Sequence, residues 1–222
     1  MPNHVLNKLE ITGSLEDLEA LKQRFLDENL HLDFQKVIPM PEDLNIEAAS
    51  WGDWGYQALY GDWREIAARL SQLGKYGPFN ERAELLNAIR AEMPEALALG
   101  EKYRANEERY GARHWYDWCR EHWGTKWNAY DHLDTEVDLE DRLVLWFHTA
   151  WTPPYPVVQA MSASFPRLGF RLVFADEFLN YAGWARFGAG ELLEESPESI
   201  NLEAARELGF EEALDEPEAA VH

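Results

Sequence analysis

Apolar and polar positions interleave from Val5 to Ile11: Val5, Leu6, Leu9 and Ile11 stand among Asn7, Lys8 and Glu10, the period of a strand. Gly13 ends that run. Ser14-Leu15-Glu16-Asp17 then opens a helix, because the Ser14 hydroxyl can take a free backbone N–H while Asp17 reaches back. Leu18, Leu21, Phe25 and Leu26 give it an apolar stripe as far as Asn29. A second strand is expected over 32–38, stopped by Pro39-Met40-Pro41, so that β-α-β closes by residue 41.

The period then changes. Residues 42–112 predict helices and loops, with Ile66, Leu70 and Leu73 on one face of one helix and Leu85, Leu86, Ile89 and Met93 on another. Trp51-Gly52-Asp53-Trp54-Gly55-Tyr56 is aromatic and glycine-rich and suits a packed loop. The whole region is expected to be a helical insertion. Over His114–Asp131, Trp115, Trp118, Cys119, His122 and Trp123 fall on one helical face, Gly124 terminates, and 125–130 suits a strand. Asp131 to Asp141 is acidic and turn-like. Arg142–Trp151 is the most strand-like run; YPVVQAMSASF predicts a helix, and 168–176 and 181–187 two more strands joined by a turn. In the tail, Asn201 can cap a short helix that Gly209 ends, and the last dozen residues have a disordered composition.

Two β-α-β halves of this kind make an α+β chain, a ferredoxin-like plait with helices on one face of an antiparallel sheet. Its halves are residues 1–41 and 113–190, interrupted by the insertion at 42–112 and followed by an acidic tail at 191–222.

Composition narrows the function classes. The 222 residues carry a net charge of −21, and 191–222 holds eleven acids against Arg206, about half of that charge. Such a surface repels nucleic acid and anionic lipid unless its cations are gathered on one face. It also suits a protein partner, including a decoy that offers carboxylates where a DNA-binding protein expects phosphates. A single cysteine excludes an intrachain disulfide and a cysteine-built zinc cluster, which fits a reducing compartment. The N-terminus lacks the basic start and apolar core of a signal peptide, and no run of apolar residues is long enough to span a membrane, so the cytoplasm is the expected location.

Four segments, NHVLNKLEITG, WYDWCREHWGTKWNAYD, FHTAWTPPYPVVQAMSASFP and FADEFLNYAGW, resemble the YubB-type ferredoxin-like domain family over roughly 3–40 and 113–190. The resemblance implies the plait fold and a setting on plasmids, phages or prophages. It implies no activity, no cofactor and no catalytic residues.

Candidate chemistry is sparse. No glycine-rich phosphate loop, HExxH, GxSxG or CxxC pattern occurs. His132 with Asp134, Glu136 and Asp138 alternates ligand types without a metal-site spacing, and acidic loops are commonly just solvated. Cys119 with His122 and His114 could be a thiolate pair, but three tryptophans share its face, which favours packing. Trp146 and His148 stand opposite Leu145 and Phe147 on their strand, so Trp127, Trp146, His148 and Trp184 could line an aromatic binding face, as in plaits that stack bases; Lys126, Arg142, Arg171 and Arg186 would be its cations. The bland counterpart is that the insertion covers this face. Asp131, His132, His148 and Asp176 are the polar candidates for an enzyme pocket between plait and insertion. The leading expectation is a non-enzymatic protein acting on a protein partner through its acidic surface. Nucleic-acid binding through the sheet and an unrecognised enzyme pocket are the alternatives.

Overall fold

The computed structural model describes residues 3–74, 76–133, 136–138, 141–197 and 199–210, the three at 136–138 by backbone alone. In chain order its elements are β1 (His4–Thr12), α1 (Leu15–Phe25), α2 (Phe34–Val37), α3 (Ser50–Tyr60), α4 (Trp63–Gln72), α5 (Arg82–Glu92), α6 (Pro94–Tyr110) and α7 (Trp115–His122). There follow β2 (Glu136–Asp138), β3 (Arg142–Ala150), α8 (Tyr155–Ser164), β4 (Gly169–Asp176), β5 (Ala182–Gly188), β6 (Glu191–Glu195) and α9 (Leu202–Glu207). The chain divides into two units, Met1–Pro39 with Cys119–His222, and Met40–Trp118.

The larger unit is one antiparallel sheet in the order β2-β3-β1-β4-β5-β6. β1 is its centre, with Leu9 opposite Leu145 on one side and Leu172 on the other. The sub-order β4-β1-β3-β2, with α1 in the first crossover and α8 in the second, is the ferredoxin-like plait; β5 and β6 extend the sheet beyond it. Alternation then sorts the side chains. Val5, Leu9, Ile11, Leu143, Leu145, Phe147, Phe170 and Leu172 are buried on one side. There Phe34 of α2 meets Phe147 edge-on at 6.2 Å, and Tyr155 of α8 meets Phe174 at 5.8 Å and Phe187 at 5.3 Å.

Two expected strands are absent from this unit. Residues 32–38 are no strand: Asp33 accepts from the Gln35 amide at 2.9 Å and caps the short helix α2, which turns Phe34 wholly inward. The edge position falls instead to β2, inside the acidic stretch that suited a turn, so the insertion lies within the first crossover rather than after a finished β-α-β. Nor is 125–130 a strand. The Thr125 hydroxyl donates to the Ala150 carbonyl at 2.7 Å and accepts from the Ala150 amide at 3.1 Å, a side chain standing where a paired backbone would, and only Tyr130 bridges to β3. The plait helices α1 and α8 keep to one face as expected, while the short helix of the tail, α9, lies on the other. The last dozen residues and the Asp134 end of the His132–Asp138 pattern lie outside the described residues.

The smaller unit is helical, with Ala58, Ile66, Leu70, Leu85, Ile89, Ala96 and Leu97 in its core. The glycine-rich segment expected as a loop is the first half of α3. Its glycines serve close approach: a Cβ on Gly55 would strike the Ala96 carbonyl, and one on Gly100 the Tyr56 amide, so α3 and α6 touch backbone to backbone. Tyr103, wholly buried, donates to the Glu47 carbonyl at 2.6 Å and accepts from the Ala49 amide at 3.1 Å. Leu73, assigned to the α4 stripe, follows the helix's last residue and is 59% exposed.

Candidate functional site

The side of the sheet away from α1 and α8 carries His4, Leu6, Lys8 and Glu10 of β1, Val144, Trp146 and His148 of β3, Arg171, Val173 and Ala175 of β4, and Ala182, Trp184 and Arg186 of β5, as register and alternation require. Trp146, His148 and Trp184 therefore share one face, as expected. Trp127 does not belong to the sheet. It sits in the irregular segment before Tyr130 and meets the Tyr130 ring edge-on at 6.2 Å.

The face has two regions. At its corner, the Tyr130 bridge lays that ring against His148 at 6.0 Å, and His4 meets both, at 5.7 and 6.3 Å. The Tyr130 hydroxyl lies 2.6 Å from His4 Nδ1 and 3.2 Å from the Thr149 carbonyl. Burial, then the Asp131 and Glu177 charges, pushes this phenol up to about 12, so it stays a protonated donor. Lys126 Nζ sits 4.5 Å from the Trp127 ring centre and 4.8 Å from that of Trp151.

The middle of the face is covered by α9. Ala204, Ala205 and Leu208 pack on Val173, Ala175 and Ala182, with Leu6, Trp146, Trp184 and Phe210 around them. Asn201 caps the helix through the Ala204 amide at 2.9 Å, and its own amide binds the Ala182 carbonyl at 2.7 Å. Glu207 then lands among cations. It accepts two bonds from the Arg171 guanidinium, 2.8 and 2.7 Å, and one from Lys8 Nζ at 2.9 Å. Arg171 first, then Lys8, holds this carboxyl at about 2, against the opposing effect of burial.

The polar quartet does not assemble. Asp176 shares a register row with Val5 and Thr149, so it points to the helix-covered side, opposite His148. There it builds the β4–β5 turn, its Oδ2 accepting from the Phe178 amide at 3.2 Å and the Asn180 side chain at 2.6 Å. Asp131 is exposed in left-handed backbone at φ 44°, with its carbonyl 3.4 Å from His148 Nδ1. His132 stacks on His31, centroids 4.3 Å apart and planes within 13°. Burial and the neighbouring His31 lower its pKa. Parallel stacked imidazoles aim their nitrogens along separate planes, so this pair cannot close on one ion. Among the described residues no three His, Cys, Asp or Glu side chains converge as metal ligands. Cys119 is 2% exposed and burial pushes its thiol up to about 12, the state of a packed thiol rather than a nucleophile.

Glu207, Lys8, Tyr130 and His4 are the residues that sequence reasoning missed. The α9 helix itself is legible from Asn201 and Gly209; that it folds back onto the sheet is not.

Comparison with known proteins bears on this same half of the chain. Residues 122–222 match the family model described as the ferredoxin-like domain in Api92-like protein. The matched segment takes in β2 to β6, α8 and α9, and with them most of the face just described. A crystal structure of the protein Api92 from Yersinia pseudotuberculosis is similar at 13% identity and a TM-score of 0.48, over 90% of this chain and 99% of that one. No curated protein matches. No helix among the described residues is long and apolar enough to cross a membrane.

Proposed function

We propose that this chain is a non-catalytic binding protein that engages a basic protein partner through its acid-rich surface. The observation that carries the reading is the state of its cations. Lys8, Lys22, Arg104, Arg109, Arg113, Arg142, Arg167, Arg171 and Arg186 each sit within 4.0 Å of an Asp or Glu of the same chain. With these nine of its twenty Lys and Arg engaged within the chain, fewer cations are left to offset the excess acid of a −21 chain. A surface of that sign draws basic proteins, and DNA-handling proteins are the chief class built to receive rows of anions. The resemblance of four segments to YubB-type domains supports a plasmid, phage or prophage setting, where such interference is useful.

The test is capture on the immobilised full chain at low and at moderate salt, with duplex DNA as competitor. Basic, DNA-handling proteins are expected, released by salt and by duplex. Neutralising Glu211, Glu212, Asp215, Glu216 and Glu218 to their amides should weaken retention at least about fivefold. Retention indifferent to salt, or unchanged in the amide variant, overturns the reading.

A further inference from the structure

On the sheet face beneath α9, strand register places Trp146, Lys8, Val173 and Trp184 in one row across four strands, and Val144, Glu10, Arg171 and Arg186 in the next. Three strand spacings separate the two tryptophans, about 14 Å. Each has a cation on its ring: Lys8 Nζ lies 5.4 Å from the Trp146 centroid and the Arg186 guanidinium 5.3 Å from that of Trp184. Between them, the Glu207 carboxylate sits in the Arg171 fork and on Lys8. That fork is the geometry arginine offers a phosphate as readily as a carboxylate.

The geometry points to this face as a binding site for single-stranded nucleic acid, with α9 as its built-in competitor and the Glu207 carboxylate standing where a backbone phosphate would lie. The aromatic spacing selects a polymer. One mononucleotide cannot reach both indoles, whereas two or three successive bases of a strand can, the number that plait sheets commonly stack. The cations select an anionic strand. Withdrawing Glu207 takes three charge-assisted hydrogen bonds from Lys8 and Arg171 and leaves Glu10 as the acid beside Arg171 on the sheet, a loss of bonds that a phosphate makes good. Alongside, a cleft of about 260 Å³ opens at Arg171 and Arg186, with Glu10, Thr12 and Leu193 on its walls; Arg186 is bound to Glu194 at 3.1 Å, so a second phosphate there has to displace that carboxylate. The competitor is held mainly by its charge. α9 has six residues and rests on two alanines and Leu208, with Phe210 beside them, a small apolar area, so the Glu207 bonds to Arg171 and Lys8 carry much of its hold. This site sets Lys8, Arg171 and Arg186 against Glu10 and Glu194 once α9 withdraws, a small local excess of cations on an acidic protein. It stands independently of the acidic-surface reading, whose partner is a protein.

The experiment is fluorescence anisotropy of labelled single-stranded RNA and DNA, about ten nucleotides long, with the full chain at low salt. Ala204→Asp with Ala205→Asp places carboxylates against Val173 and Ala175 and ejects α9. The oligonucleotide is expected to bind this variant at least about tenfold tighter than the wild type, and Trp146→Ala or Trp184→Ala in that background should each remove about tenfold. Glu207→Gln, which keeps the apolar contact and removes only the competing charge, should tighten binding about threefold or more with the same tryptophan dependence. It serves alone if the double variant fails to fold. An α9-ejected chain with native near-ultraviolet circular dichroism but wild-type affinity overturns the proposal. So does a gain that survives loss of both tryptophans, or an equal gain for polyglutamate, which would assign the face to acidic peptides.

Discussion

Glu207 brings three donors onto one carboxylate, and its burial makes them count. Its side chain is 22% exposed and its pKa is held at about 2 against an ordinary 4.5. The folded carboxyl lies below its unfolded value, so the unfolded chain takes up the proton first as pH falls. The stabilisation is whole above the ordinary range and is lost as pH falls toward about 2. Glu207→Gln should cost about 2 kcal/mol at neutral pH, after allowance for solvent screening, and the gap to wild type in urea midpoint should close between about pH 5 and pH 2. A gap unchanged over that range would show that the cost comes from packing alone. Single positions were unevenly legible. Asn201, Gly124 and Gly209 announce themselves because caps and terminators act within a few residues. Glu207 does not, since its partners lie 36 and 199 positions away.

Helices and strands with a clean period were readable from sequence: β1, β3 to β5, α4, α5, α7 and α8 all stand close to where their patterns put them. The failures are elements decided by something outside their own pattern. α2 follows a cap at Asp33 that outweighs four alternating residues, and β2 draws its strand identity from pairing with β3. The start of α3 is helical although glycines at 52 and 55 disfavour it, because α6 rewards their lack of a side chain. That reason can be measured. Gly55→Ala and Gly100→Ala should each lower stability by about 3 kcal/mol or more, since backbone atoms must move. Gly74→Ala has open space around it and pays only for its left-handed φ of 72°, about 1–2 kcal/mol. Equal unfolding midpoints for Gly55→Ala and Gly74→Ala would remove the close-approach explanation. Likewise the aromatic face was legible as far as the period of β3 carries it, to Trp146 and His148. Trp127 fell away because Thr125 breaks the expected strand.

For the whole molecule, charge is the dominant property. Forty-one acids against twenty Lys and Arg repel one another in the compact state more than in the expanded chain. Raising ionic strength from about 0.02 M to about 0.2 M shortens the screening length severalfold, and the melting temperature should rise by about 3–6 °C. A flat or falling melting temperature would mean that local ion pairs outweigh the global repulsion. Charge sign was readable at once. Which carboxylates meet which cations was not, because pairs such as Arg109 with Asp43, Arg167 with Asp17 and Arg171 with Glu207 join residues far apart in the chain.

The place of the insertion, inside the first crossover, sets the order in which the chain can become a protein. β1 leaves the ribosome well before its neighbours, residues 142–150 and 169–176. All of Met40–Trp118 emerges before either of them. The helical unit, whose contacts are local, has its full complement of residues before those strands emerge, whereas the plait's central strand must wait for partners more than a hundred residues downstream. The segment most in need of protection during synthesis is therefore β1, and α9 can dock only after β4 and β5 have paired.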